Sequence, residues 1–230
     1  RQAVDNLGGI FENLGYGFGI ITIPVDKLQE LSTITDIQYL ELPKLIANSS
    51  IDSLRASCVP QVWQGANLTG AGVLIGFIDT GIDYTINAFR NEDGTTRIVY
   101  LYDLIEQVSY NREEINSALN STDPYSIVDF TDSTGHGTQV AGIACAGGNI
   151  DRSYYGAAYN SLIAMVKITA VEGINFSLST QLMRGIKLLV DRARELRLPL
   201  VINISWSTND GAHNGSSILE QYINTISSNE

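Results

Sequence analysis

A chain of 230 residues, 44% hydrophobic and 17% charged, has the balance of a globular protein: one ordinary domain, or a small domain before a larger one. A formal net charge of −11 excludes a nucleic-acid footprint, since nothing would neutralise phosphates, and it repels anionic membranes. No apolar run approaches the roughly 18 residues that span a bilayer, and Cys58 and Cys145 make neither a disulfide framework nor a zinc cluster.

Residues 1–48 read as one unit. A short helix is expected at Gln2–Leu7, stopped by Gly8-Gly9. The Gly-rich stretch Ile10–Pro24 is strand-like around Phe18–Ile23. Val25–Leu31 reads as a helix with Val25, Leu28 and Leu31 on one side, and the alternating Ile37–Leu42 reads as a strand that Pro43 ends. A polar, Ser-rich linker covers 49–57. The second unit, 58–230, carries three nearly continuous apolar runs, Val73–Ile78, Leu162–Lys167 and Leu200–Ile204, the pattern of parallel strands covered on both faces. Residues 91–130 are polar and aromatic and read as an insertion with a short helix at Arg112–Asn120. Leu182, Ile186, Leu189, Val190, Ala193 and Leu196 recur at helical spacing, with Arg184, Lys187, Arg192 and Arg194 mostly off that stripe. Strands alternating with helices predict an α/β fold, an open and mostly parallel sheet with helices on both faces, after a small α+β unit.

Three places carry chemistry. Asp79 ends an apolar run in FIDTGID, and the carboxyl ends of such strands face the ligand crevice. Its other reading is a carboxylate capping the next turn, with Gly81 supplying the bend. His136 stands between Gly135 and Gly137 in DSTGHGTQVAGIACAGG, beside a helix start. The helix dipole disfavours an imidazolium there, which suits a general base that must be neutral before it takes a proton. The second histidine, His213, reads as a solvated loop residue in NDGAHNGSS. Ser205, Trp206 and Ser207 follow the LVINI run. They form either a substrate-binding edge whose backbone pairs with a peptide, or a strand running into a polar turn with Trp206 in the core.

IDTGID, GHGTQVAG and VINISW, in that order, resemble the subtilisin superfamily of serine proteases. Gly156–Ile168 and Gln181–Ile204 resemble the intervening core segments, so the likeness covers 70–207. It implies a subtilisin-like fold and peptide-bond hydrolysis by an Asp–His–Ser triad of which Asp79 and His136 are two members. It also implies that Ser205–Ser207 hold a protein or peptide substrate in extended form. VDNLGG and PVDKLQELSTITDIQYLEL resemble the family's inhibitory pro-segment, an intramolecular inhibitor whose tail lies in the cleft. More narrowly, IDTGIDYTINAFRNEDGTTRI and YNREEINSALNSTDPYSIVDFTDSTGHGT resemble the clostridial Csp-type spore-germination proteases. That likeness implies a secreted or spore-associated processing enzyme acting on the precursor of a cortex hydrolase.

Departures from the family pattern bear on function. Ala88 stands nine residues after Asp79, where calcium-binding relatives often have Asp, so no cofactor and no metal are assigned. Gln139 replaces the second His of HGTHVAG, and Ser207 stands where many relatives have Gly. No serine has the family's Gly-Thr-Ser setting, since Ser216-Ser217 follow Gly215 without an apolar helix behind them. The resemblance therefore implies that the nucleophile and the oxyanion-hole Asn belong to the remaining C-terminal part of the catalytic domain, beyond Glu230, and that these 230 residues alone are inactive. Two other functions remain open: a pseudoprotease scaffold, decided by the residue at the nucleophile position, and a generic secreted degradative subtilisin, decided by genome context.

Overall fold

A computed structural model describes residues 1–43, 45–48, 58–168, 176–208 and 214–229. It divides into two compact units. One comprises 1–45, 178–184 and 208–230, and the other 46–177 and 185–207. The linker read at 49–57 and His213 lie outside the described residues.

In the first unit, helix α1 (Gln2–Asn6) is followed by an antiparallel hairpin of β1 (Ile10–Gly15) and β2 (Phe18–Thr22), with Ile10 opposite Thr22. Sequence patterning finds only the second strand. The two strands approach closely at Gly19 of β2, where a Cβ would strike the Phe11 ring of β1. Val25–Leu31 is a 3₁₀ turn (Val25–Lys27) running into α2 (Leu28–Leu31) rather than one continuous helix. The strand expected at Ile37–Leu42 does not form. Tyr39, Leu40 and Leu42 are all exposed, so neither face of an alternating strand finds a surface to cover, and the next strand is β3 (Leu45–Asn48).

The second unit takes in most of β3 and continues with α3 (Val59–Ala66) and β4 (Leu74–Asp79). Residues 91–130 are more than an insertion: β5 (Ile98–Asp103) lies within them and joins the main sheet, and β6 (Val108–Asn111) pairs antiparallel with it. Ile98, Val99 and Leu101 are buried there, a short apolar signal masked by polar flanks on both sides. Helix α4 (Arg112–Leu119) starts on a capping box: the Asn111 side chain accepts from the Glu114 N–H, and the Glu114 carboxylate accepts from the Asn111 N–H.

Helix α5 (His136–Cys145), β7 (Leu162–Lys167), β8 (Phe176–Leu178), α6 (Ser179–Leu196), β9 (Leu200–Ile204) and β10 (Trp206–Ser207) follow. The main sheet runs β6-β5-β7-β4-β9, parallel throughout except at β6. All six residues of β4 are buried, as expected of a strand covered on both faces. Phe77, Leu101, Ile115, Phe130, Val140 and Met165 belong to one core cluster. A second, three-stranded sheet sets β3 between β10 and β8.

The Arg97 guanidinium is buried and donates to the carbonyls of Ala88, Cys145 and Ser161, so a fixed cation collects the oxygens beside Ala88 and at the end of α5. Both cysteines are free. Burial pushes the Cys145 thiol up to about 11, which makes it an inert packing group. The last element, α7 (Ile218–Asn229), belongs to the first unit, where Tyr222 is buried edge-on against Phe18 at 5.2 Å.

Close packing of α6 on β4 is set by Gly76, where an added Cβ would lie 2.7 Å from Leu189 Cδ1. Gly76→Val in the full-length protein should cost about 1–3 kcal/mol by overpacking. Urea unfolding reads this as a lower midpoint at unchanged slope. An unshifted midpoint would mean that α6 gives way freely.

Candidate active site

The end of β4 and the start of α5 bring two titratable groups together. Asp79 Oδ1 lies 2.7 Å from His136 Nδ1, although 57 residues separate them. Asp79 has no solvent exposure, whereas the His136 side chain keeps 18% of its own. An ionised carboxylate can only accept, so Nδ1 donates and the basic lone pair is placed on Nε2. The helix end works against an imidazolium by about 0.3–1 kcal/mol. A charge-assisted hydrogen bond contributes about 1.5–3 kcal/mol, so the carboxylate governs the ring. The pair can hold one imidazole tautomer, accept a proton at Nε2 and stabilise the resulting cation.

Burial pushes the Asp79 carboxyl above its usual range, opposed by the hydrogen bonds from His136 and from the Thr80 N–H (2.8 Å to Oδ1). Its Oδ2 is buried and has no hydrogen-bond partner among the described residues. Two glycines make the approach of strand and helix possible. A Cβ on Gly137 would lie 2.1 Å from the Gly81 carbonyl oxygen, and a Cβ on Gly81 would lie 2.5 Å from that of Thr131.

Asp132 stands beside this pair and was not singled out from sequence. Its Oδ1 accepts from Thr80 Oγ1 (2.7 Å), Thr134 Oγ1 (3.2 Å) and the Gly135 N–H (3.0 Å). Its Oδ2 accepts from the N–H (2.8 Å) and hydroxyl (2.7 Å) of Thr138. The signal available was an Asp followed by Ser-Thr-Gly, the composition of a turn in which a side chain binds its own backbone. On the strands beside Asp79, Lys167 pairs with Asp103 at 3.0 Å, and in the register it stands next to Asp79.

Ser205, Trp206 and Ser207 divide. Ser205 and Trp206 are buried; the Ser205 hydroxyl accepts from Asn203, and the Trp206 indole N–H donates to the Ile78 carbonyl (3.0 Å). Trp206 is thus packed in the core and braces the strand that ends in Asp79. Ser207 is exposed. The backbone of Trp206 and Ser207 pairs antiparallel with Asn48 and Ala47.

Residues 70–230 match the model of the subtilase family, peptidase S8, and residues 1–44 match the Csp protease B prodomain. The chain belongs to the subtilase family. Among solved structures, the Clostridium perfringens CspB protease is similar at 60% identity and a TM-score of 0.72. That match covers 77% of this subtilase chain and 38% of the CspB chain, so the chain spans well under half the length of that relative. No curated protein matches it. The subtilase assignment, the α/β fold and the Csp-type resemblance with its pro-segment agree with the sequence reading.

The raised Asp79 pKa carries a sign for stability. Its contribution is fully present below the unfolded value, about 3.9, and is lost as pH rises through the folded value. Asparagine has no such titration. The melting temperature of Asp79→Asn relative to the parent subtilase should therefore rise between pH 3 and pH 7. Calorimetry showing the gap falling over that range would mean that the hydrogen bonds outweigh burial.

Proposed function

We propose that the chain is the front part of a subtilisin-type serine endopeptidase in which Asp79 and His136 serve an Asp–His–Ser triad. The observation that carries this is the 2.7 Å contact between a buried strand-end carboxylate and a helix-start imidazole. No serine of the chain has the nucleophile's sequence setting, so the serine is assigned to the remaining part of the catalytic domain.

His136 Nε2 takes the proton from that serine's hydroxyl as the oxygen attacks a peptide carbonyl carbon. Asp79 holds the ring and stabilises the imidazolium. Collapse of the tetrahedral intermediate expels the amine, which receives the proton from Nε2 and leaves an acyl-enzyme. Water, deprotonated by the same nitrogen, attacks the acyl carbon, and the acid leaves as the serine oxygen takes that proton back from Nε2. Oxyanion donors contribute about 3–4 kcal/mol each.

The substrate is read as an extended peptide on β10. Supporting this, Ala47–Asn48 already pair with Trp206–Ser207 as a strand. Residues 1–48 are accordingly read as a pro-segment, 49–57 as the linker in which a self-cut falls, and 58–230 as catalytic-domain sequence. In this reading the pro-segment is an intramolecular inhibitor whose tail takes the place of substrate. No calcium is proposed beside Ala88, because the Arg97 guanidinium already holds its carbonyl oxygen. On the Csp-type resemblance of the sequence, a processing protease is proposed rather than a degradative one, with a precursor of a spore cortex hydrolase as its substrate.

In the full-length enzyme, Asp79→Asn should lower kcat about 10⁴-fold through the wrong tautomer, and His136→Ala at least as much. A fluorogenic peptide assay with titration by a serine-directed phosphonate measures both. Near-normal hydrolysis by either variant removes these roles. A parent protein that neither cleaves nor labels is a scaffold instead.

A further inference from the structure

We propose that Asp132 is a positioning residue that sets the Asp79–His136 distance without touching the imidazole. Its five donors come from both sides of the pair. Thr80 directly follows Asp79, while Gly135 and Thr138 flank His136 along the chain. The Thr80 hydroxyl, which donates to Asp132, also accepts from the Gly137 N–H at 3.0 Å. The end of β4 and the first turn of α5 are thus tied to one carboxylate and to each other.

The tie matters because there is little slack in the approach. Gly137 lies against the Gly81 carbonyl and the Asp79 side chain, with no room even for a Cβ. A shift of the helix start changes the Oδ1–Nδ1 distance directly. The tie also extends outward, since Thr138 Oγ1 accepts from the Asp83 N–H at 2.9 Å while donating to Asp132. Burial pushes the Asp132 carboxyl upward, but the donors from Thr138, Thr80 and Gly135 outweigh it and hold the group below its usual range. It therefore stays an acceptor-only anion at neutral pH, a state that five donors require. That anion sits at the N-terminus of α5 and offsets part of the helix-end bias against an imidazolium.

The kinetic part of this inference rests on the protease reading; the spectroscopic part does not. Asp132→Asn keeps one acceptor oxygen and replaces the other with a donor that faces the Thr138 N–H. In the full-length protein its kcat per phosphonate-titrated site should fall about 10²-fold, the scale of a misplaced catalytic group, with KM within about twofold. Asp132→Ala should fall further, and Asp132→Asn combined with Thr138→Val should fall by less than the product of the single losses, as groups in one network do. Proton NMR should show the low-field His136 Nδ1–H resonance in the parent and its broadening or loss in Asp132→Asn. A residue that only stabilises the fold would reduce the number of titratable sites but leave turnover per site and that resonance unchanged, and this result overturns the proposal. If the parent hydrolyses nothing yet its resonance is lost in Asp132→Asn, the positioning role stands and the protease reading falls.

Discussion

A carboxylate cut off from water is costly unless something pairs with it, and Asp79 has no solvent exposure. Much of the surrounding geometry follows from pairing it. Strand β4 must end at Asp79, α5 must begin at His136, and the loops between must let a backbone pass where no side chain fits. Gly81 and Gly137 meet that condition, since a Cβ on either would strike a carbonyl oxygen. The Trp206 indole adds a brace from β10 by donating to Ile78, one residue before the carboxylate.

The pairing is incomplete by design of the fold. One carboxylate oxygen takes the His136 ring and the Thr80 N–H, and the other has no partner among the described residues. Asp132 shows the contrast within the same few residues: half-buried, it collects five donors and its pKa falls. With few donors one carboxyl is raised above its usual range by burial, and with five its neighbour is held below it.

A second economy lies in the backbone. The pairing of Trp206–Ser207 with Ala47–Asn48 uses main-chain hydrogen bonds, which any extended peptide can make. Pairing of that kind does not depend on which side chains the extended segment carries.

Local pattern determined much of this molecule. The runs Leu74–Ile78 and Leu162–Val166 became β4 and β7, inner strands whose covered faces call for apolar residues, whereas LVINI became β9 at the sheet edge, where Val201 is exposed and the expected cover on both faces is missing. The stripe of Leu182, Ile186, Leu189, Val190 and Ala193 became the buried side of α6. Asp79 and His136 were legible for a related reason: a strand end and a helix start are marked by the residues next to them. Only the tertiary structure decided the rest. Whether Ile98–Asp103 joins the sheet depends on β7, some sixty residues later, and whether Ile37–Leu42 forms a strand depends on a surface it does not find. Asp132 becomes a hub only because Thr80, 52 residues earlier, is folded against it. Hydrogen-bond partners distant in sequence leave no periodic trace along the chain, so neither composition nor spacing could have named them.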